Sequence, residues 1–368
     1  MSTAPRTSDY PPDLAGLDGV LDRIAESAAE RDAAPPGAAA FPDAPFAALG
    51  TVGALRWNAR PGRARPPAEL ELGLVRRVAC ADGSVGRIFD GHLNAVERVA
   101  VQAPPELRDR ELRAVVAGEL RAGVWGGDPV PGEGPAASVI GTGGREVLRG
   151  VKTFCSGAGG LQRAVVLARD PDGGPPVLVW IDLTDERHVE VDQSWYRSRG
   201  LVASVSHRVV FHDAPVMARL GPPGAISEQP WFGRDALRTA ASWAGMADTA
   251  VQGALATLSE RPVSGDLEGL AAGRILTAQW TIDVWLRAAA AAMDGAGPDL
   301  PAVALHSRAA IADACRTLLD EAARACGSRP FARGDALDRA RRDLEVFLLQ
   351  HRLDPLLARA GAAALKAR

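Results

Sequence analysis

Apolar residues at Leu17, Val20, Leu21 and Ile24 recur at helical spacing, so residues 14–31 read as a helix. Residues 1–11 before it are polar and patternless, the texture of a disordered tail. Residues 33–45 are rich in alanine and proline and read as a loop. Helical periodicity returns over 67–81, 85–103 and 108–122; in the last, Leu112, Val115, Val116 and Leu120 share one face. From Gly123 the pattern shortens. Runs rich in β-formers at 138–142, 164–168, 177–181, 189–191 and 205–211 alternate with Gly, Pro and Asp turns, the spacing of a β domain. Long helices resume after Trp231, over 234–258, 267–293, 300–326 and 336–359, punctuated by Pro298, Pro301 and Pro330. Four such helices with short links predict a bundle. The expectation is an α+β chain: a tail over 1–11, an N-terminal α-helical domain over 12–122, a middle β-barrel-like domain over 123–222 and a C-terminal four-helix bundle over 223–368. No internal repeat is visible.

Composition narrows the function. The chain has 368 residues, 47% of them hydrophobic, enough for a large core. A net charge of −3 and the absence of a basic stripe argue against nucleic acid and membrane surfaces. Cys80, Cys155, Cys315 and Cys326 are widely spaced, which indicates neither a zinc knuckle nor a disulfide framework, so no metal is expected. The N-terminus carries no signal-like apolar run, and the alanine-rich stretch at 288–293 is too short to span a bilayer. A cytoplasmic protein is the expectation.

The segment Gly150-Val-Lys-Thr-Phe-Cys-Ser-Gly-Ala-Gly-Gly160 carries the first chemical signal. It lies between apolar alternating runs at 145–148 and 164–168 and reads as strand, tight turn, strand. It gathers an aromatic ring (Phe154), a hydroxyl (Ser156) and glycine N–H groups at one strand end. That set suits a flat ring with polar edges. Taken alone, a Gly-rich hairpin of this kind is more often a plain structural turn.

Further motifs in a fixed order resemble the acyl-CoA dehydrogenase superfamily of flavoproteins, from about Leu14 to Leu365. Val124-Trp-Gly-Gly-Asp-Pro129 resembles that family's first flavin-contacting strand and turn, and Gly150–Gly160 the next. Residues 195–211 (WYRSRGLVASVSHRVVF), with Asp213, Val216 and Leu220-Gly221, are similar to the close of its β domain. Leu337-Asp-Arg-Ala-Arg-Arg-Asp343 is similar to its Arg-Asp motif. The resemblance implies FAD or FMN as cofactor, with backbone contacts from Trp125, Gly126 and Gly127, Phe154 beside the ring, and Ser156 near the flavin N5. It also implies a homodimer or homotetramer.

Two family features are missing. The usual glutamate base would fall near His351 and the alternative one at Leu237, before Arg238; neither position holds a carboxylate. The pyrophosphate motif is reduced to Glu260-Arg261-Pro-Val-Ser-Gly265, leaving Arg261 as the phosphate partner. Phe154-Cys-Ser-Gly-Ala158, and Ala81-Asp-Gly-Ser-Val-Gly86 followed by His92, instead resemble two-component flavin monooxygenases, which receive reduced flavin from a separate reductase. That branch implies Ser156, His92 and His351 around the site of oxygen activation. Thioester dehydrogenation with His351 as base is the alternative, and a degenerate scaffold the third reading. His207 and His212 flank a strand and read as solvent-facing. Arg339, Arg341, Arg342 and Asp343 read as interhelix ion pairs.

Overall fold

The structure is a computed structural model, which describes residues 14–35, 38–59, 65–142, 145–170, 172–261, 265–296, 299–350 and 353–367. The helical pattern of the first third becomes α1 (Leu17–Glu26), α2 (Ala28–Asp32), α3 (Asp43–Thr51), α4 (Ala68–Ala81), α5 (Gly83–Gln102) and α6 (Pro105–Ala117). The helix expected over 14–31 breaks at Ser27. The end of the expected 33–45 loop opens α3, which buries Phe46 and Leu49. The helix expected to reach residue 122 stops at Gly118, whose φ of 78° ends it in the left-handed region that glycine enters without strain. The Asp82 carboxylate caps α5 by accepting the Val85 N–H at 3.0 Å. Every residue of α5 from Gly83 to Val99 is buried.

Among the described residues seven strands follow: β1 (Ala122–Trp125), β2 (Ser138–Ile140), β3 (Val147–Cys155), β4 (Arg163–Ala168), β5 (Val177–Asp182), β6 (Val189–Asp192) and β7 (His207–Arg219). They form one sheet in the order β1-β4-β5-β7-β3-β2, with β6 also on β7. Only β1 and β4 run parallel among these pairs. Single bridges join Gly127 to Thr153 and Ser138 to Arg169, drawing distant strands of the path together. The strands on either side of the Gly-rich turn are not partners. β3 pairs with β2 and β7, whereas β4 pairs with β1 and β5. The turn after Cys155 is therefore a crossover between separated strands, and it delivers Ser156 next to β1.

The last third holds α7 (Trp231–Ser259), α8 (Asp266–Met293), α9 (Leu300–Cys326), α10 (Arg329–Arg333), α11 (Ala336–Phe347) and α12 (Asp354–Lys366). The fourth long helix expected over 336–359 is thus two helices. Pro355 sits in the first turn of α12, where its missing N–H costs no hydrogen bond. α7 is the bundle's axis and buries Leu237, Trp243 and Val251. The described cysteines form no disulfide; Cys155, Cys315 and Cys326 are buried and Cys80 half-buried. Among the described residues no helix is long and apolar enough to cross a membrane.

Candidate functional site

At the end of β3 the backbone of Phe154 takes φ 54°, a left-handed conformation unusual for a bulky side chain. The twist turns its ring outward, 56% exposed, against Trp195 in an edge-on pair with centroids 4.9 Å apart. Trp195 is held by its indole N–H donating to Glu133 at 2.9 Å. Cys155 and Ser156 turn inward and are buried.

β1 is tied to the same place. The Trp125 indole is buried, stands 6.5 Å from Phe211, and donates its N–H to the Ser156 carbonyl at 3.0 Å. The Thr153 N–H donates to the Gly127 carbonyl at 3.0 Å. A Cβ at Gly127 would lie 2.5 Å from the Thr153 carbonyl oxygen, so only glycine allows this approach. Gly126 between them is exposed. Trp125 therefore contributes backbone and scaffold here, and Gly126 a reachable main-chain edge.

Sequence reasoning missed Lys152. Its side chain is buried on β3, with Nζ donating to Asp128 at 2.7 Å and to the Gly126 carbonyl at 3.4 Å. A lysine in an otherwise apolar strand was the available signal. A second omission is a chain of hydroxyls behind Ser156. Ser156 Oγ lies 2.8 Å from Ser206 Oγ, which lies 2.8 Å from Ser204 Oγ. Tyr196 continues the group and donates its hydroxyl to the Gly200 carbonyl at 2.9 Å. Burial pushes its pKa up, opposed by bonds from Ser198 and Ser204, and the charges of Asp343 and Arg87 act on it. His207 is not solvent-facing, as its place at a strand start suggested: it is buried beside Tyr196, Nδ1 has no partner, and burial lowers its pKa. His212 is exposed, with Nε2 2.9 Å from Glu190.

His92 has a different setting from the one its resemblance implied. It is fully buried where α5 meets β1, and both ring nitrogens are engaged. Nε2 lies 2.8 Å from the Leu55 carbonyl, and Nδ1 accepts the Ala122 N–H at 3.1 Å. These partners select the neutral tautomer with hydrogen on Nε2, and burial pushes the pKa down to about 4. No ring N–H remains for a ligand. His351 lies outside the described residues, between α11 and α12. Arg261 joins the far end of the bundle, donating to Glu268 at 3.1 Å and to the Ala325 carbonyl at 2.5 Å.

Neither expected base position supplies a carboxylate, and Leu237 is buried in α7. A buried carboxyl group does lie on α11. Asp343 is buried and accepts the Leu201 N–H at 2.5 Å, so it docks the β-domain loop on α11 instead of forming an ion pair. Burial pushes its pKa up to about 7, opposed by that N–H. Arg342 does pair, with Asp32 at 2.6 Å and Asp338 at 2.9 Å, and Arg341 pairs with Glu345 at 2.7 Å.

No family model matches this chain, and no curated protein matches it in sequence. Solved structures do. FMN-bound TdsC from Paenibacillus sp. A11-2 superposes with a TM-score of 0.82 at 20% identity, covering 97% of this chain and 98% of TdsC. TdsC is also described as dibenzothiophene monooxygenase. KijD3 bound to FMN and a dTDP-linked amino keto sugar gives 0.81 at 22% identity, over 98% of this chain and 95% of the other. Methanesulfinate monooxygenase MsuC from Pseudomonas fluorescens gives 0.75 at 22% identity, over 98% of both. The chain has the acyl-CoA dehydrogenase-like fold, α+β with a middle sheet between two helical regions.

Proposed function

We propose that this protein is a flavin-dependent oxidoreductase that oxygenates a small organic molecule with reduced flavin. The observation that carries the reading is the end of β3. An outward Phe154 beside Trp195, the open Gly126 backbone and the buried Ser156 hydroxyl form an apolar wall with a polar edge, which fits an isoalloxazine ring. The FMN bound by TdsC and KijD3 in the same fold supports it.

Bound reduced flavin would supply the electrons that activate oxygen. The chain's own residues do the rest. Phe154 would lie against the bound ring, with Trp195 beside it. Trp125, Gly126 and Gly127 offer backbone to the ring edge. Ser156 would donate to or accept from the bound ring, because a hydroxyl does both. The Ser156–Ser206–Ser204 chain lets a proton be exchanged without opening the site to bulk water. Buried Asp343, whose pKa burial raises to about 7, is a buried carboxyl group able to gain and lose a proton near neutral pH. With no carboxylate at Leu237 or at position 351, proton abstraction from a thioester has no conventional base, which favours oxygenation over dehydrogenation.

The loss of the phenylalanine after Arg261 favours FMN over FAD. Within one chain Arg261 belongs to the end of α7, so phosphate contact by Arg261 requires a second copy. The exposed Leu267, Leu270, Trp280 and Val284 on α8 supply an apolar face for a homodimer or homotetramer. A separate flavin reductase is the partner this chemistry needs, and the cytoplasm its setting.

The test mixes purified protein with photoreduced FMN or FAD under anaerobic conditions and then admits oxygen. Tight binding of the reduced form and altered reoxidation in the presence of protein are expected. Bleaching of bound oxidised flavin by an acyl-CoA would move the assignment to dehydrogenation. Failure to bind either flavin in either oxidation state would leave the scaffold reading.

A further inference from the structure

A second polar cluster joins α5, α7 and α9. Arg87 and Asp90 on α5 form an ion pair at 2.9 Å, and Ser242 on α7 donates to the other Asp90 oxygen at 3.1 Å. From α9, Arg308 reaches the same carboxylate's field. The side chains form a ladder. The Arg87 guanidinium lies 5.2 Å from the Phe347 ring centroid, Phe347 meets Trp243 edge-on at 6.1 Å, and the Arg308 guanidinium lies 5.3 Å from the Trp243 ring centroid.

The ladder is unfinished. Arg308 is 5% exposed, yet among the described residues its Nε and Nη2 have no hydrogen-bond partner, and neither does the fully buried Trp243 Nε1. Two guanidinium groups face one carboxylate. All three unpartnered atoms are donors, and an unpaired buried cation is costly unless a ligand completes it. Burial lowers the Arg308 pKa to about 10, partly offset by Asp90, which marks a charge held without adequate compensation. The cluster is not sealed, since Arg87 keeps 10% of its side-chain exposure.

We propose that Arg308 and the Trp243 indole N–H bind the anionic group of a small organic monoanion, a carboxylate or sulfur oxyanion. That this anion is the substrate rests on the flavoprotein reading above. The site of anion binding stands on its own geometry. Guanidinium and indole donors suit an acceptor-only group with several lone pairs, and the two aromatic rings beside them suit its organic part.

The experiment measures thermal stabilisation and calorimetric binding by benzoate and benzenesulfonate against neutral benzamide, at fixed ionic strength, with sodium sulfate as the inorganic control. Wild type, Arg308→Met and Trp243→Phe are compared. Both organic anions should raise the wild-type Tm where benzamide and sulfate do not. Arg308→Met should lose about tenfold or more in affinity, and Trp243→Phe a smaller factor. Without ligand, Arg308→Met should melt no lower than wild type, because it removes an uncompensated charge. Equal stabilisation by benzamide or sulfate, retained binding in Arg308→Met, or a ligand-free Arg308→Met that melts well below wild type or does not fold would each overturn the proposal. FMN fluorescence quenching on the same samples separates the two readings. Anion binding without flavin binding removes the flavoprotein assignment and keeps the site; flavin binding without anion binding does the reverse.

Discussion

Two clusters of buried charge share helices α5 and α7 and end in opposite ways. In the first, Glu71 and Glu97 alternate with Arg234 and Arg238, each guanidinium touching both carboxylates at 2.5–3.0 Å. Asn94 fills a further Arg238 N–H at 3.0 Å. Burial raises the Glu97 pKa, but Arg238, Arg234 and Arg65 together hold it well below the usual carboxylate range. In the second cluster, Arg308 and Trp243 keep donors with no acceptor. The same burial surrounds both. A charge set that satisfies itself is scaffold, and one that leaves donors of a single kind is shaped for something the chain does not contain.

The largest effect should come from breaking the closed set. Glu71→Gln leaves two buried guanidinium groups short of countercharge and should cost about 3–5 kcal/mol of unfolding free energy in denaturant titrations. A loss under about 1 kcal/mol would mean that solvent reaches the ring and the contrast is false.

Two buried groups at the domain junction should then pull stability in opposite directions with pH. His92 has its folded pKa lowered from 6.5 to about 4, so its stabilisation is complete above pH 6.5 and is lost as pH falls toward 4, by about 3 kcal/mol. Asp343 has its folded pKa raised from 3.8 to about 7, so its stabilisation is complete below pH 3.8 and is lost as pH rises through 7, by about 4 kcal/mol. The wild type should show a shallow profile. His92→Gln should expose the decline toward pH 7, and Asp343→Asn the decline toward pH 4. Variants with unchanged slopes would remove these groups as the cause.

Arg308→Met should sharpen the comparison by its sign. Where Glu71→Gln destabilises strongly, this change should be neutral or stabilising by about 1 kcal/mol in the absence of ligand. Smallest is Ser156→Ala, which removes one hydroxyl from a chain whose other members remain. Flavin-dependent turnover should fall about tenfold with little change in Tm. Unchanged turnover would take Ser156 out of the site.

Much of this was legible along the chain, for reasons that differ by residue. Helical spacing located α4, α5, α7, α8 and α9 because each has a continuous apolar stripe. Strand pairing was not legible. The turn after Cys155 looks like a hairpin, and nothing local says that its strands take other partners. Phe154 and Ser156 were singled out because ring, hydroxyl and glycines fall together in one short stretch, and Gly126 because the 124–129 segment resembles a family motif. Lys152, in an apolar strand, and the Ser204 and Ser206 hydroxyls, in the turn before β7, were missed because single polar residues acquire meaning only from neighbours distant in sequence. His92 shows the reverse. Its residue type suggested chemistry, and only the Leu55 carbonyl and the Ala122 N–H, brought together by folding, reveal a structural crosspiece. Arg308 carried no sequence signal at all, since one arginine in a long alanine-rich helix looks like surface.

Helix α5 carries Arg87, Asp90, His92, Asn94, Glu97 and Arg98 within a stretch that is buried on all sides. Its amides cannot meet solvent by fraying or by the loss of one neighbour, because helices, sheet and loops all cover it. Hydrogen exchange along α5 should therefore proceed only through opening of the whole molecule, and its slowest amides report the global free energy. A ligand that completes Arg308 should slow those amides even though it touches none of them.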